Sequence, residues 1–155
     1  MKFTVPGEPV AKGRPRFARA GKFVRTYTPK KSLSYENLVG WYFRASQDFT
    51  AFKDFKEADG GYEAPVSLSI VFFFTRPKSR QRVKNRGIVT PRTARPDLDN
   101  CIKNVLDGLN KVAFRDDSQV WRIEASKHET DANPRTEIEI IYRKEPKEHA
   151  GEDKS

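Results

Sequence analysis

An amphipathic helix with acidic residues at both of its ends constrains this chain more than any other feature. When residues 98–109 are placed at 100° steps, their apolar side chains fall in a single arc. Asp99, Lys103 and Asp107 line up along a different side, one turn apart. The sequence therefore predicts a helix that buries one face in the core and presents carboxylates and a lysine along an edge.

Four aspartates flank this helix and are the candidate metal ligands. Asp97 and Asp99 lie at its start, and Asp116 and Asp117 follow shortly after its end. We expect the second pair to fold back towards the helix. Carboxylates brought together repel one another unless a cation lies between them, and hard carboxylate oxygens suit Mg²⁺ when the substrate is a phosphate. The plainer alternative is that one of these aspartates only caps the helix.

Lys103, one turn beyond Asp99, is a candidate for stabilising negative charge on a phosphate group. The alternative is a surface ion pair with Asp99, worth about 0.3 kcal/mol. Asp107 would orient Lys103 or hydrogen-bond to the metal ligands from outside, and the same outer position is predicted for Asn100 and Gln119.

The charge balance indicates a polyanionic partner. The 155 residues include 30 Lys and Arg against 21 Asp and Glu, a net charge of +9, which favours nucleic acid or an anionic membrane surface. A 12% share of aromatic residues still supplies a core. No apolar run could span a membrane, no hydrophobic signal segment opens the chain, and the single cysteine excludes an intrachain disulfide. We therefore expect a cytoplasmic protein with no membrane partner.

Two basic stretches are the candidate nucleic-acid contacts. Residues 10–19 read as an irregular loop, and residues 76–96 carry eight Lys or Arg and no acid. A structureless loop of about twenty residues is usually functional or disordered, and this one leads into the acidic helix. The alternative for each stretch is a solvated surface loop. The predicted phosphate contacts are Lys12, Arg14, Arg16, Arg76, Lys78, Arg80, Arg82, Lys84, Arg86, Arg92 and Arg95.

Alternating apolar and polar residues predict the strands. The strongest candidate is residues 66–74, and apolar residues on both of its faces are typical of a central strand. Residues 120–127 and 136–142 alternate on either side of a turn and predict a hairpin. Two further strands are expected at 2–5 and 22–27.

A second helix and the ends of the domain follow from capping residues and composition. Thr28 as N-cap and Pro29 at the first helical position predict a helix over about Lys30 to Gln47. Its aromatic stripe is more typical of core packing than of base stacking. Residues 48–64 read as a variable connection. We expect one domain over residues 1–142, followed by a charged, disordered tail at 143–155.

Acids suited to a metal and cations suited to phosphate together indicate a metal-dependent enzyme of phosphodiester chemistry that acts on nucleic acid. In residue type and separation, the chain resembles the RusA-type Holliday junction resolvases at Pro96-Asp97-Leu98-Asp99-Asn100, Lys103, Asp107 and Asp116-Asp117-Ser118-Gln119-Val120. It is also similar to the family's N-terminal half at Lys12-Gly13-Arg14-Pro15-Arg16, Tyr27-Thr28-Pro29 and Tyr35-Glu36. The resemblance extends to about Tyr142.

This resemblance implies an α+β fold, in which a single domain with a mixed β-sheet and two main helices acts as a homodimer. Such enzymes make two symmetric nicks in a four-way DNA junction with Mg²⁺ or Mn²⁺, and we expect a 5′-phosphate and a 3′-hydroxyl at each nick. By the same resemblance, Asp97, Asp99 and Asp117 are metal-binding catalytic acids, and Lys103 is an essential lysine. Asp116 matches a companion acid.

Two other functions remain open on the sequence alone. A non-catalytic nucleic-acid-binding domain would keep the cations but would not need the acids. A nuclease that prefers flaps or forks would need both, and shape recognition leaves little local signature in a sequence. The expected location is the bacterial cytoplasm, with the gene carried either by the cell or by a prophage.

Overall fold

The computed structural model describes residues 1–58, 61–81 and 87–143. These residues form seven strands and three α-helices. In order they are β1 Lys2–Pro6, β2 Arg16–Ala20, β3 Phe23–Tyr27, α1 Lys30–Arg44, α2 Phe49–Ala58, β4 Val66–Thr75, β5 Thr90–Pro91, α3 Leu98–Leu109, β6 Val120–Thr130 and β7 Arg135–Tyr142.

A five-stranded mixed sheet in the order β1-β7-β4-β6-β5 forms one layer of the domain. The central strand β4 pairs antiparallel with β7 and parallel with β6. Val66, Leu68, Ile70 and Phe72 on one side of β4 are buried, and Phe73 on the other side is buried as well. A strand with apolar residues on both faces is stable only inside a sheet, so the prediction of a central strand is confirmed.

The predicted hairpin of β6 and β7 is wrong, although both segments are strands. β4 lies between them and hydrogen-bonds to both. Alternation identifies each segment as a strand and sets which side chains face the core, but it does not select the neighbouring strand. The most apolar strand occupies the middle of the five-stranded sheet.

Helices α1 and α3 pack against each other and against the apolar side of the sheet. Cys101, Val105 and Leu109 of α3 are buried, so the predicted apolar face is confirmed. The two helices approach closely at Gly108, where a Cβ atom would lie 2.7 Å from the carbonyl oxygen of Glu36. This contact fixes the position of α3, and with it the position of the acids at its ends.

Helix α2 occupies part of the segment that was predicted to be a variable connection. Its Phe52 is buried, and the rings of Phe49 and Phe52 pack edge-on against Phe43 of α1. The domain is therefore α+β with a mixed sheet and three helices, rather than two main helices. None of the helices within the described ranges has the length and apolar character needed to cross a membrane.

α1 begins at Lys30 as predicted, but its cap differs from the prediction by one residue. Pro29, rather than Thr28, occupies the cap position, and no side chain caps this helix end. The helix ends at Arg44, three residues before the predicted Gln47, and its buried side includes Tyr35, Val39 and Phe43. The aromatic stripe at Tyr35 and Phe43 therefore packs in the core, as the spacing suggested.

The first basic stretch contains a strand where an irregular loop was predicted. β2 pairs antiparallel with β3 to form a two-stranded ribbon, which is a separate sheet from the five-stranded one. In the second basic stretch the described residues include a short 3₁₀ turn at Lys78–Arg80 and strand β5. Residues 82–86 of that stretch, and all of the predicted tail except Arg143, lie outside the described residues.

Candidate functional site

The start of α3 carries two exposed carboxylates without partners. Asp97 occupies the cap position with extended backbone angles, yet its side chain makes no capping hydrogen bond. Asp99 follows in the first turn and is also exposed. Neither carboxylate has a hydrogen-bond or ion-pair partner among the described residues. Capping therefore does not explain Asp97, and both groups are free to bind a cation.

Three hydrogen bonds hold the segments around this helix end in place. Lys127 on β6 donates from Nζ to the carbonyl oxygens of Ala94 at 2.8 Å and Pro96 at 2.6 Å, just before Asp97. The backbone N–H of Lys12 donates to the carbonyl oxygen of Asn100 at 2.8 Å. The first basic stretch is thus bonded to the first turn of α3, and the segment just before Asp97 is bonded to β6.

Lys127 was not identified from the sequence, although a signal was available. Lys127 and Glu129 continue the side of β6 that begins with Trp121, Ile123 and Ala125, where alternation calls for apolar residues. Charged residues at such positions need internal partners. The structure provides them as backbone carbonyls for Lys127 and as arginines for Glu129.

Lys103 is exposed and lies one turn beyond Asp99, with no partner among the described residues. Asp107 does not orient it, because Oδ2 of Asp107 lies 2.6 Å from Nζ of Lys12. The same Nζ lies 2.5 Å from Oε1 of Glu36. Burial opposes the charged form of Lys12, but its hydrogen bonds to Asp107 and Glu36 outweigh that effect and raise its pKa. The structure thus gives Lys12 and Asp107 each other as partners, and phosphate contact by Lys12 stays a prediction.

The second acidic pair has two different roles. Oδ1 of Asp116 accepts the backbone N–H of Ser118 at 2.9 Å and caps the 3₁₀ turn Asp117–Gln119. The side chain of Gln119 accepts the N–H of Asp116 and donates to the carbonyl oxygens of Tyr62 and Ala64. Hydrogen bonds from Ser118 lower the pKa of Asp116. Asp116 and Gln119 thus hold the turn, whereas the exposed Asp117 has no partner in the described chain.

The two acidic pairs lie at opposite ends of α3. The helix has 12 residues, a length of about 18 Å. β6 returns alongside it, because Val120 starts beside Val66 at one end of the sheet, whereas Lys127 contacts Pro96 at the other. Across the described ranges, no three His, Cys, Asp or Glu side chains lie close enough to hold a metal ion. The expected return of Asp116 and Asp117 to Asp97 does not occur within one chain.

An internal ion-pair network anchors the second basic stretch. Glu129 is buried, and its Oε1 lies 2.7 Å from Nη2 of Arg80 and 3.1 Å from Nη1 of Arg92. The buried Arg76 donates from Nη2 to the carbonyl oxygen of Ile88 at 2.5 Å. Its Nε lies 3.1 Å from Oδ1 of Asp131, close enough for an ion pair but not aligned for a hydrogen bond.

This network corrects part of the predicted DNA-binding set. Arg76 and Arg92 form ion pairs inside the domain, and Arg80 also forms an ion pair although its side chain remains exposed. Arg82, Lys84 and Arg86 lie outside the described residues. Four predicted contacts are exposed and have no partner among the described residues: Arg14, Arg16, Lys78 and Arg95.

The fold and the free carboxylates within a basic chain fit the class of phosphodiester-processing α+β enzymes. The family model described as endodeoxyribonuclease RusA matches residues 6–141, and the chain belongs to this family. It is 35% identical over 146 residues to the uncharacterized protein YqaN of Bacillus subtilis (strain 168), which covers 90% of this chain and 94% of that protein.

A second relative is a phage enzyme. The chain is 38% identical over 77 residues to the crossover junction endodeoxyribonuclease rusA of Lactococcus phage r1t. That alignment covers 49% of this chain and 53% of the phage protein. The resemblance inferred from the acidic motifs is therefore confirmed at the level of the family.

Proposed function

We propose that this protein is an endodeoxyribonuclease that depends on a divalent metal and resolves four-way DNA junctions by paired nicks. Membership of the RusA family supports the endonuclease, and the phage relative's name supports the crossover junction as substrate. The single observation that carries the proposal is Asp97, which holds a helix-cap position without capping and lies beside the equally free Asp99. Two exposed carboxylates on one helix turn suit a hard cation.

The separation of the acids supports a site shared by two copies of the chain. Asp117 lies about a helix length from Asp97 and Asp99, so it cannot join them on one ion within the same chain. In a homodimer with a two-fold axis, antiparallel α3 helices would bring Asp117 of one copy to Asp97 and Asp99 of the other. The same operation creates a second identical site, which suits an enzyme that must cut two strands.

The donor set fits Mg²⁺, because three carboxylates provide only hard oxygen ligands. Mg²⁺, or Mn²⁺ in its place, would supply a bound water of lowered pKa and a polarised phosphate oxygen. Asp97, Asp99 and Asp117 would hold the ion, while Asp116 keeps the turn that presents Asp117. Lys103 would contact the phosphate and stabilise the negative charge that builds up in the transition state. The products would be a 5′-phosphate and a 3′-hydroxyl.

The exposed cations near this helix end would hold the DNA backbone. Arg14, Arg16, Lys78 and Arg95 are exposed and unpaired within the described part of the chain, and Arg82, Lys84 and Arg86 stay predicted contacts. Each neutralised phosphate releases counterions, so the logarithm of the affinity should fall by about 0.9 per contact for each tenfold rise in salt.

The Asp97→Asn variant tests the function. On a synthetic mobile four-way junction with Mg²⁺, we expect its nicking rate to fall about 1000-fold, roughly 4 kcal/mol of barrier. Junction binding should persist, because the substitution removes a ligand charge and not a DNA contact. Asp54→Asn, an exposed aspartate on α2, is the matched control and should cut like the parent. A variant at Asp97 that cuts as well as the parent would refute the metal assignment.

The same assay decides between substrates. Four-way junction, flap, fork and plain duplex are compared at one salt concentration, and the products are mapped on every strand. We expect paired, symmetric nicks on the junction and little cutting of duplex. Preferential cutting of a flap or fork would replace junction resolution with the other nuclease function, and parental protein that binds DNA without cutting any substrate would indicate a binding domain.

A further inference from the structure

The β2–β3 ribbon is a large feature of the described chain that the proposed active site does not use. It pairs with no strand of the main sheet, and all five side chains of β3 are exposed. Phe17 is 74% exposed and Phe23 is 77% exposed. A two-stranded ribbon is marginally stable alone, and exposed large apolar side chains on it indicate an interaction surface.

Aromatic rings and arginines occupy both faces of the ribbon. Phe17 lies opposite Thr26 and Arg19 opposite Val24, so these four share one face. The other face carries Phe23 opposite Ala20, and a second group of Arg16, Tyr27 and Arg25. Each face can therefore place a flat ring and a guanidinium group against a partner.

The positive charge of the ribbon and its neighbouring residues indicates which kind of partner it binds. From Pro9 to Tyr35 the sequence contains eight Lys or Arg and no acid. A second copy of this chain presents an equally basic ribbon, so electrostatic repulsion disfavours pairing of two ribbons. A polyanion with flat apolar surfaces fits better, and nucleic acid combines phosphates with base faces.

The residues that precede the ribbon, Lys12 and Gly13, are held beside the proposed active site. The N–H of Gly13 donates to Oγ of Ser32 at 2.7 Å, and a Cβ atom on Gly13 would lie 2.7 Å from Cγ of Pro29. The preceding Lys12 is bonded to Asn100 in the first turn of α3. Each strand of the ribbon has five residues and is about 17 Å long. The ribbon therefore extends well away from Lys12 and Gly13, which lie near Asp97 and Asp99.

We propose that the ribbon enters the open centre of branched DNA and stacks Phe17 and Phe23 on bases that lack a stacked neighbour there. The two rings lie on opposite faces, so an inserted ribbon meets a base on either side. Bases inside a duplex are already stacked, and the rings gain little from them. The inference rests on the proposed function and identifies a surface by which the protein distinguishes a branch point from plain duplex.

Substitutions at both rings test this surface without any cutting step. Junctions with 2-aminopurine at the branch point, and a matched duplex, are titrated with protein in EDTA. We expect the Phe17→Leu/Phe23→Leu variant to weaken junction binding by about tenfold or more, to abolish the change in 2-aminopurine fluorescence, and to alter duplex binding by less than about twofold. Phe17→Tyr/Phe23→Tyr keeps flat rings and should restore both signals.

An arginine pair is the matched control for phosphate contact. Arg19→Gln/Arg25→Gln should weaken junction and duplex alike and lower the salt slope by up to about two. Junction binding by the Leu variant that equals the parent's, or that falls by the same factor as duplex binding, would overturn the proposal. So would a shift of the DNA-free Leu variant to monomer in sedimentation velocity, because that result assigns the ribbon to contacts between two copies.

Nicking and branch-point binding are measured separately, so a failure of this inference is distinguishable from a failure of the proposed function. If the parent fails to nick any branched substrate while the Leu variant loses branch-point binding, the ribbon assignment stands and the nuclease assignment fails. If the parent nicks junctions and the Leu variant binds and nicks them equally well, the nuclease assignment stands and the ribbon assignment fails. Circular dichroism of each variant confirms that the domain is folded.

Discussion

At the scale of single residues, Lys12 shows that a cation in a basic stretch can belong to the interior. Its ammonium group lies between Glu36 of α1 and Asp107 of α3, and its side chain is only 18% exposed. The sequence indicated a phosphate contact because neighbouring residues are basic. Only the fold shows that two helices bring two carboxylates to the same nitrogen.

Lys12→Met is predicted to reduce stability. The substitution leaves Glu36 and Asp107 facing each other without a cation, and we expect the free energy of unfolding to fall by about 2–3 kcal/mol. Urea denaturation measures this change. Lys22→Met, at the exposed turn of the ribbon, is the control and should change stability by less than about 0.5 kcal/mol. Parental stability of Lys12→Met, together with a lower salt slope for DNA binding, would instead support Lys12 as a DNA contact.

The four aspartates also show what residue-level reasoning can and cannot predict. Their clustering in the sequence indicated a metal site, and the structure supports free carboxylates at Asp97, Asp99 and Asp117. Asp116 looks equivalent in the sequence but caps a turn. The difference depends on local backbone angles, which place the N–H of Ser118 within reach of Asp116 but leave Asp97 without such a donor.

At the scale of elements, the segment from Arg76 to Arg92 is not a free loop. Ion pairs and hydrogen bonds hold both of its described ends in place. Arg80 and Arg92, which lie on either side of residues 82–86, bind the same oxygen of Glu129. Arg76 adds a bond to the carbonyl of Ile88. The network holds the start and the end of the basic stretch against the edge of the sheet at β5 and β6.

Glu129→Gln is predicted to loosen this segment. The side chain of Glu129 is 2% exposed, so the substitution leaves two guanidinium groups without their shared carboxylate, and we expect a loss of about 2–3 kcal/mol in stability. Hydrogen exchange should become faster at residues 87–92. Glu124→Gln on the same strand is the matched control, because that side chain is 73% exposed and its ion pair with Arg122 is worth little. Equal stability of the two variants would contradict the anchoring role.

The elements themselves differ in how well the sequence predicts them. Strong periodicity predicted α3, β1, β4 and β7, because each buries one regular face. Alternation alone predicted β3 and β6, although β3 is exposed along its whole length. α2 was missed although Phe49, Phe52 and Phe55 recur at helical spacing, since its polar surroundings resemble a loop. β2 was missed because its arginines made residues 10–19 read as one basic loop.

At the scale of the whole molecule, the decisive quantity is the distance between the two acidic pairs. A sequence shows only how far apart residues are along the chain. Because the segment between Leu109 and Asp116 is short, we expected Asp116 and Asp117 to lie near the start of the helix. The packed α3 and the return of β6 beside it instead keep the pairs apart. Within the described part of one chain the three proposed ligands do not meet, so the proposed metal site needs a second copy.

Mixing two inactive variants tests this claim most directly. Asp97→Asn and Asp117→Asn carry different tags and are purified separately as controls. They are also co-expressed so that mixed dimers form, and nicking of a supercoiled plasmid with a cruciform is measured with Mg²⁺. In a mixed dimer, one shared site has lost both acids and the other keeps Asp97 and Asp117 intact. We predict that each variant alone is inactive and that the mixture recovers about a quarter of the parental sites, yielding nicked rather than linear plasmid. A mixture as inactive as its separate components would contradict the shared site.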